Sequence, residues 1–339
     1  MQKPILGRMA RSLLSRSCAA AASIAALAAT GLAHAQQDSN VGKPLRIIVP
    51  IAAGSVTDVV LRGAAPALSQ QLGQPIVIDN KTGASGVVGA EACAKAAPDG
   101  LTICAIYHAT TSFNPLLFDK LPYDPEKDLS PVTRLFFVTE GLVVPASLPV
   151  RTVAELRSYA TQNPDRVNFG TLGDGSMQEL MVAWLNREWK TRIVGVPYKG
   201  GAPIATAVTA GEIQVAQMGL GNFMGLIQAG QLRPLAIAAS QRSKDLPQTP
   251  TAEEAGLGGF PSRPWWGIAA PAGTPAATVT KLQRALATAF SDPKMVELMQ
   301  SRHVEPALTT SAQEFAAFLR KDKEAAATIV RMARETKAR

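Results

Sequence analysis

An α/β protein of two lobes, joined by two crossover strands that act as a hinge, is the fold this 339-residue sequence predicts. Three observations predict it. Short, nearly all-apolar runs alternate with helix-like stretches, the pattern of sheets covered on both faces. Two strand-like segments near Phe136–Val144 and Trp265–Ala269 lack strong turn signals and read as crossovers between lobes. The roughly 300 residues that follow an export signal are large for one core and comfortable for two.

The order of elements begins with that signal. Lys3, Arg8, Arg11 and Arg16 precede the small apolar run Ala19–Leu32, and Ala33-His34-Ala35 supplies a signal-peptidase site, which predicts export with cleavage after Ala35. The apolar run is about a dozen residues, short of the roughly 20 that span a bilayer. Without the four signal cations the net charge falls from +8 to +4. Such an excess suits small anions. With no cluster of Lys/Arg and interleaved aromatics, it gives no nucleic-acid signature.

Strand-like runs then fall at Ile47–Val49, Ile76–Ile78, Thr102–Ile106, Leu142–Val144, Arg166–Gly170, Ile193–Val196, Ile213–Met218 and Leu235–Ala239, in largely parallel sheets. Helix-like stretches lie between most of them, for example Val153–Thr161, Met177–Trp189 and Pro203–Ala210. A tail of helices follows at Thr278–Phe290, Pro293–Gln300 and Ala312–Glu335, the last opened by the capping pattern Ser311-Ala312-Gln313-Glu314. A run of terminal helices is expected to flank one lobe. The expected organisation is a signal over 1–35, lobe one over 36–137 and 265–339, and lobe two over 138–264. Cys93 and Cys104 read as two small buried apolar residues rather than a pair, and no Cys/His spacing resembles a zinc site.

Two strand-to-helix turns near the front carry the chemistry. Leu45–Pro50 leads through Ala53-Gly54-Ser55-Val56-Thr57-Asp58 into a helix-like run from Val59 to Leu72. Pro75–Asn80 leads through Lys81-Thr82-Gly83-Ala84-Ser85-Gly86 into another from Val87 to Ala97. Each turn aims backbone N–H groups and the positive end of a helix dipole at one point, where an anion is the natural occupant. Ser55 or Thr57 caps the first helix, and Asp58 favours its dipole or holds the loop.

These residues resemble the opening of the solute-binding receptors of tripartite tricarboxylate transporters, the Bug-type receptors. The resemblance continues in order through Leu72–Val77, Ala96–Gly100, Asn114-Pro115, Leu121–Pro125, Thr152–Leu156, Val196–Gly200, Ala229–Arg233, Glu254–Leu257 and Ala270–Pro275. It implies a periplasmic two-lobe binding protein, of the Venus-flytrap kind, that closes on an organic carboxylate and delivers it to membrane permease subunits. It implies a pincer on one ligand carboxylate from Gly54, Ser55, Val56 and Thr57 with Ala84, Ser85, Gly86 and Val87. Further contacts follow from Tyr107, His108, Ala109 and Thr110 at the end of the third strand. From lobe two come Thr171, Leu172, Gly173 and Asp174, then Tyr198, Met218 and Gly219.

Relatives carry small residues where Tyr107 and His108 stand, an Asp at Met218, and prolines at Ala52 and Ala53. Those exchanges make the pocket less polar, and an apolar wall tolerates a ring while leaving a hydrophilic chain's hydroxyls unpaired. The expected ligand is therefore a di- or tricarboxylate or an aromatic carboxylate such as a terephthalate-like acid. An enzyme is not expected: there is no G-x-G-x-x-G turn after the first strand, no G-x-S-x-G elbow, and only His108 and His303 follow the signal. No cofactor or metal is expected, and the chain is read as a monomer. A receptor that feeds a signalling partner shares the same fold and pocket and is the alternative.

Overall fold

The computed structural model describes Asn40 and residues 42–173, 175–260 and 263–337. The expected signal with its cleavage site, and Asp174, lie outside the described residues. The chain divides into a leading segment, residues 1–43, and a compact body, Pro44–Arg339. In the leading segment the Lys43 N–H donates to the Asn40 carbonyl at 3.1 Å.

The body runs β1 (Leu45–Val49), α1 (Val56–Leu72), β2 (Ile76–Asn80), α2 (Val87–Ala94), β3 (Thr102–Tyr107), α3 (Asn114–Leu117), β4 (Leu129–Val138) and β5 (Glu140–Pro145). It continues with α4 (Val153–Gln162), β6 (Asn168–Thr171), α5 (Met177–Trp189), β7 (Val194–Pro197), α6 (Gly201–Ala210), β8 (Val215–Gly219), α7 (Met224–Gln228) and β9 (Leu232–Ala238). Last come β10 (Trp265–Pro271), α8 (Ala276–Ser291), α9 (Pro293–Ser301), β11 (Val304–Pro306) and α10 (Ala312–Lys337).

These strands form two sheets, in the orders β11-β4-β10-β3-β1-β2 and β7-β6-β8-β5-β9. The chain leaves the first sheet at Thr139, the single residue between β4 and β5, and returns between β9 and β10. The sheets are mixed rather than largely parallel. β1 pairs parallel with β2 and β3, and β6 with β7 and β8. β10 and β5 pair antiparallel with both of their neighbours. The parallel pairs belong to strand–helix–strand units, whereas β10 and β5 enter their sheets from the other one and are free of that constraint.

Continuous apolar strands follow from burial on both faces. Leu45, Ile47 and Val49 pack with Val60, Leu61 and Leu68 of α1 and with Leu286 and Phe290 of α8. Ile48 points the other way, toward Cys93, Cys104, Trp265 and Phe315. In the second sheet Leu142, Val144 and Phe169 meet Met181 and Leu185 of α5. Val143 and Ala216 meet Ile204 and Val208 of α6.

Two expectations need correction. Cys93 and Cys104 are disulfide-bonded. Helix α2 sits directly on β3, so the Cα atoms are 6.0 Å apart, inside the range a disulfide needs. Sequence spacing could not supply that distance. The terminal helix does not flank one lobe only. Phe315 and Phe318 set their rings edge-on to Trp265 at 5.6 and 5.3 Å, beside the first sheet. Further on, Ala326, Ile329, Val330 and Ala333 are buried with Leu185, Trp189 and Phe169 of the second. A helix of 26 residues is about 39 Å long, enough to lie across both. Gly267 makes room for it, since a Cβ there would sit 2.8 Å from the Thr133 carbonyl and run into the Phe315 ring.

Candidate functional site

A cleft of about 1000 Å³ is lined by residues of both sheets' units, and three helices begin on it. Helix α1 starts three residues earlier than the apolar pattern suggested, at Val56. Ser55 is extended (φ −63°, ψ 159°), and its Oγ accepts from the Asp58 N–H at 3.3 Å. The Val56 and Thr57 amides, first and second in the helix, have no acceptor four residues back. Helix α5 repeats the arrangement: Ser176 Oγ accepts from the Glu179 N–H at 3.3 Å, with Met177 and Gln178 next on the cleft. Helix α6 starts at Gly201, behind Gly200 with φ +152°, a conformation open to glycine. The positive ends of three dipoles therefore meet one cavity.

The first turn is braced from below. Asp58, 2% exposed, accepts from the Gly54 N–H at 2.9 Å, from Arg62 Nε at 3.0 and 3.1 Å and from Asn80 Nδ2 at 2.9 Å. Burial pushes its carboxyl up, but the bonds from Arg62, Gly54 and Asn80 outweigh that and hold it below its usual value. The Gly54 N–H is thereby used inside the protein. Gly54, Ser55, Val56 and Thr57 all line the cleft.

The second turn differs. Only Ser85 lines the cleft. It stands in the left-handed region (φ +53°), and its carbonyl accepts from Tyr107 Oη at 2.9 Å and Asn114 Nδ2 at 3.1 Å. Gly86, at φ +86°, is buried against β3, where a Cβ would come 2.8 Å from Tyr107 Cε1 and Thr110 Cγ2. Ala84 is exposed and Val87 half-buried, and neither lines the cleft. The four-residue half of the pincer thus reduces to one residue, because the turn folds down onto Tyr107.

Tyr107, His108 and Ala109 line the cleft; Thr110 does not. Its hydroxyl donates to the Tyr107 carbonyl at 2.9 Å and accepts from the Tyr107 N–H at 3.1 Å, so it supports the turn. Tyr107 stacks on Trp266 at 4.5 Å and 12°. His108 meets Tyr107 edge-on at 5.1 Å and Phe113 at 6.0 Å. These four rings form one wall of the cleft. Burial pushes the His108 imidazole down to about 4, so it is neutral near pH 7, and its buried Nδ1 has no protein partner.

On the opposite wall Leu172, Tyr198, Met218 and Gly219 line the cleft, joined by Gly175, Lys199, Asn222 and Met224. Thr171 is buried and donates to Glu179 Oε1 at 3.0 Å, and Gly173 also stands outside the lining. Met218 Sδ receives Gln178 Nε2 at 3.4 Å.

Sequence reasoning missed Trp266, Glu140, Gln178, Arg302 and His303. The turn after α9 delivers Arg302 and His303 to the rim, with no motif around them to signal it. Lys199 and Arg302 have no carboxylate partner among the described residues. Burial lowers the His303 imidazole despite Asp245 at 3.6 Å. No group of three or more metal-ligating side chains occurs among the described residues.

Two sheets linked by crossover strands, with a cleft lined by helix beginnings, are the two-lobe architecture of periplasmic binding proteins. The chain belongs to the tripartite tricarboxylate transporter receptor family, whose profile matches residues 60–334. BugT of Bordetella pertussis is 31% identical over 281 residues, 81% of this chain and 85% of BugT. A UPF0065 protein of Agrobacterium vitis is 35% identical over 298 residues, 88% of this chain and 85% of that protein. Among solved structures, MatC of Rhodopseudomonas palustris with bound malate is 31% identical with a TM-score of 0.74, over 85% of this chain and 99% of MatC. A second R. palustris protein, with adipate, is 31% identical with a TM-score of 0.77, over 86% of this chain and 97% of that one. The family is one of transporter receptors, and the chain is not an enzyme.

Proposed function

We propose that this receptor closes its two lobes on an organic carboxylate, an aromatic one above all, and presents it to the permease subunits of a tripartite transporter. One observation carries the reading: a stacked and edge-on aromatic wall, Trp266–Tyr107–His108–Phe113, stands beside helix beginnings that offer unused N–H groups. The N–H groups of Val56 and Thr57 and the charges of Lys199 and Arg302 attract carboxylates. The neutral rings with Leu172, Met218 and Met224 favour a flat apolar body between them. Malate in MatC and adipate in its R. palustris relative support a carboxylate as the ligand class. Met218 and the aromatic wall turn that class toward rings.

In this reading lobe one is residues 36–137 with 265–339, lobe two is 138–264, and the terminal helix lies across both. The signal is removed after Ala35 and the mature receptor works as a monomer. Ligand that touches both lobes stabilises the closed form, while ligand held by one lobe alone leaves the equilibrium where it was. Calorimetry with terephthalate, benzoate, succinate and citrate tests the reading. Tighter binding of the aromatic acids is the expected result. Tight citrate or succinate binding with no heat from either aromatic acid would remove the aromatic assignment.

A further inference from the structure

Glu140 opens β5, where the chain enters the second sheet. It is 7% exposed, and it lines both the cleft and an adjoining chamber of about 460 Å³. Its carboxylate accepts from Gln217 Nε2 at 2.8 Å, and no cation pairs with it among the described residues. Gln217 is itself held, since its carbonyl accepts from Gln178 Nε2 at 3.2 Å, while its side-chain oxygen is buried without a partner.

An ionised carboxylate here conflicts with the cleft. It would repel the anion that the helix beginnings, Lys199 and Arg302 attract, and low polarity would enlarge the repulsion. The conflict disappears if the group is neutral when ligand is present. We propose that Glu140 is a specificity-determining residue of the cleft: it takes one proton from solvent as a carboxylate ligand enters, so the ligand meets a neutral acid. This rests on the reading of the cleft as a carboxylate site.

The surroundings agree. Burial pushes the Glu140 carboxyl up to about 7, and the bond from Gln217 only partly opposes that. From β8 and α5 its neighbours are the neutral Gln217, Met218 and Gln178. The chamber adds Glu253 and Arg263, and Arg263 is held by Glu305 at 2.7 Å. The other titratable groups of the cleft lining are Tyr107, His108, Tyr198, Lys199, Arg302 and His303, with both imidazoles shifted toward the neutral form. Glu140 is then poised to change charge near neutral pH, and a neighbouring anion raises its proton affinity further.

The test is calorimetry on the intact mature protein with terephthalate, benzoate, adipate and malate, at pH 6.5 and 8.5, in two buffers of different ionisation enthalpy. Whichever acid binds is expected to weaken at least about tenfold between the two pH values and to carry uptake of about half a proton near pH 7. Glu140→Gln is expected to bind without uptake and to change less than about twofold across that range. The uptake measured on the unaltered protein stands even if that variant misfolds. Binding with no uptake, or uptake that vanishes in His303→Gln and persists in Glu140→Gln, overturns the Glu140 assignment alone. Binding of adipate but neither ring acid, with uptake, overturns the aromatic reading and keeps Glu140. No binding of any of the four acids overturns both.

Discussion

The two Gly/Ser-rich turns of the first sheet look alike in sequence and do different work in space. Turn one opens a helix of 17 residues with a capping serine, and all four of its turn residues line the cleft. Turn two opens a helix of 8 residues through three successive left-handed residues, Ala84, Ser85 and Gly86. It presents Ser85 alone and gives its carbonyl to Tyr107 and Asn114. A glycine-rich turn therefore announces a helix beginning, but packing decides whether its amides face a ligand. Turn one is held open by Asp58 from within, whereas turn two is pinned onto the aromatic wall and serves by positioning Tyr107.

That contrast can be broken experimentally. The largest effect is expected from Asp58→Ala, which removes the buried acceptor shared by the Gly54 N–H, Arg62 Nε and Asn80 Nδ2 and costs about 2–4 kcal/mol of stability, read by denaturant unfolding. Ligand affinity falls with it. The held-down carboxyl also predicts a sign for pH. Its stabilisation is present above the unfolded value of 3.8 and is lost as pH falls through the lower folded value, so Asp58→Asn should flatten the acid limb of the Tm profile.

Next is Val56→Pro, since proline suits the first helical position and its only loss there is the N–H. Affinity for the bound carboxylate is expected to fall about 10- to 100-fold in calorimetry, the worth of one hydrogen bond to a charged group, with Tm changed little. Gly86→Ala comes third. Its Cβ would press on Tyr107 and Thr110 at a positive φ, for a loss of about 1–3 kcal/mol in thermal or denaturant unfolding. The smallest effect is that of Ser85→Gly, which relieves the left-handed strain and should alter affinity less than about threefold, because Ser85 acts through its carbonyl. A loss at Ser85 as large as that at Val56 would show the two turns to be equivalent after all.

What was legible in the sequence followed from local rules. Apolar strand runs and a capping hydroxyl at Ser55 or Thr57 are short-range signals, whereas the places of Tyr107, His108 and Met218 were implied by the family resemblance. The rest depends on packing between distant segments. Trp266 reaches the cleft because β10 pairs with β3, 159 residues away at Trp266↔Tyr107. Arg302 arrives from the far side of α9. Thr110 and Thr171 have the residue type of ligand contacts, yet their hydroxyls are consumed by Tyr107 and Glu179. The Cys93–Cys104 pair required the placement of α2 on β3, which no periodicity reports.

The central claim is that helix beginnings hold a carboxylate while the aromatic wall holds its body. A crystal structure of the receptor with terephthalate tests it most directly. The account predicts one carboxylate within about 3.2 Å of the Val56 and Thr57 amide nitrogens and the ring against Tyr107 and His108. A carboxylate seated only on Lys199 and Arg302 at the rim, with the Val56 and Thr57 amides turned to solvent, would contradict it.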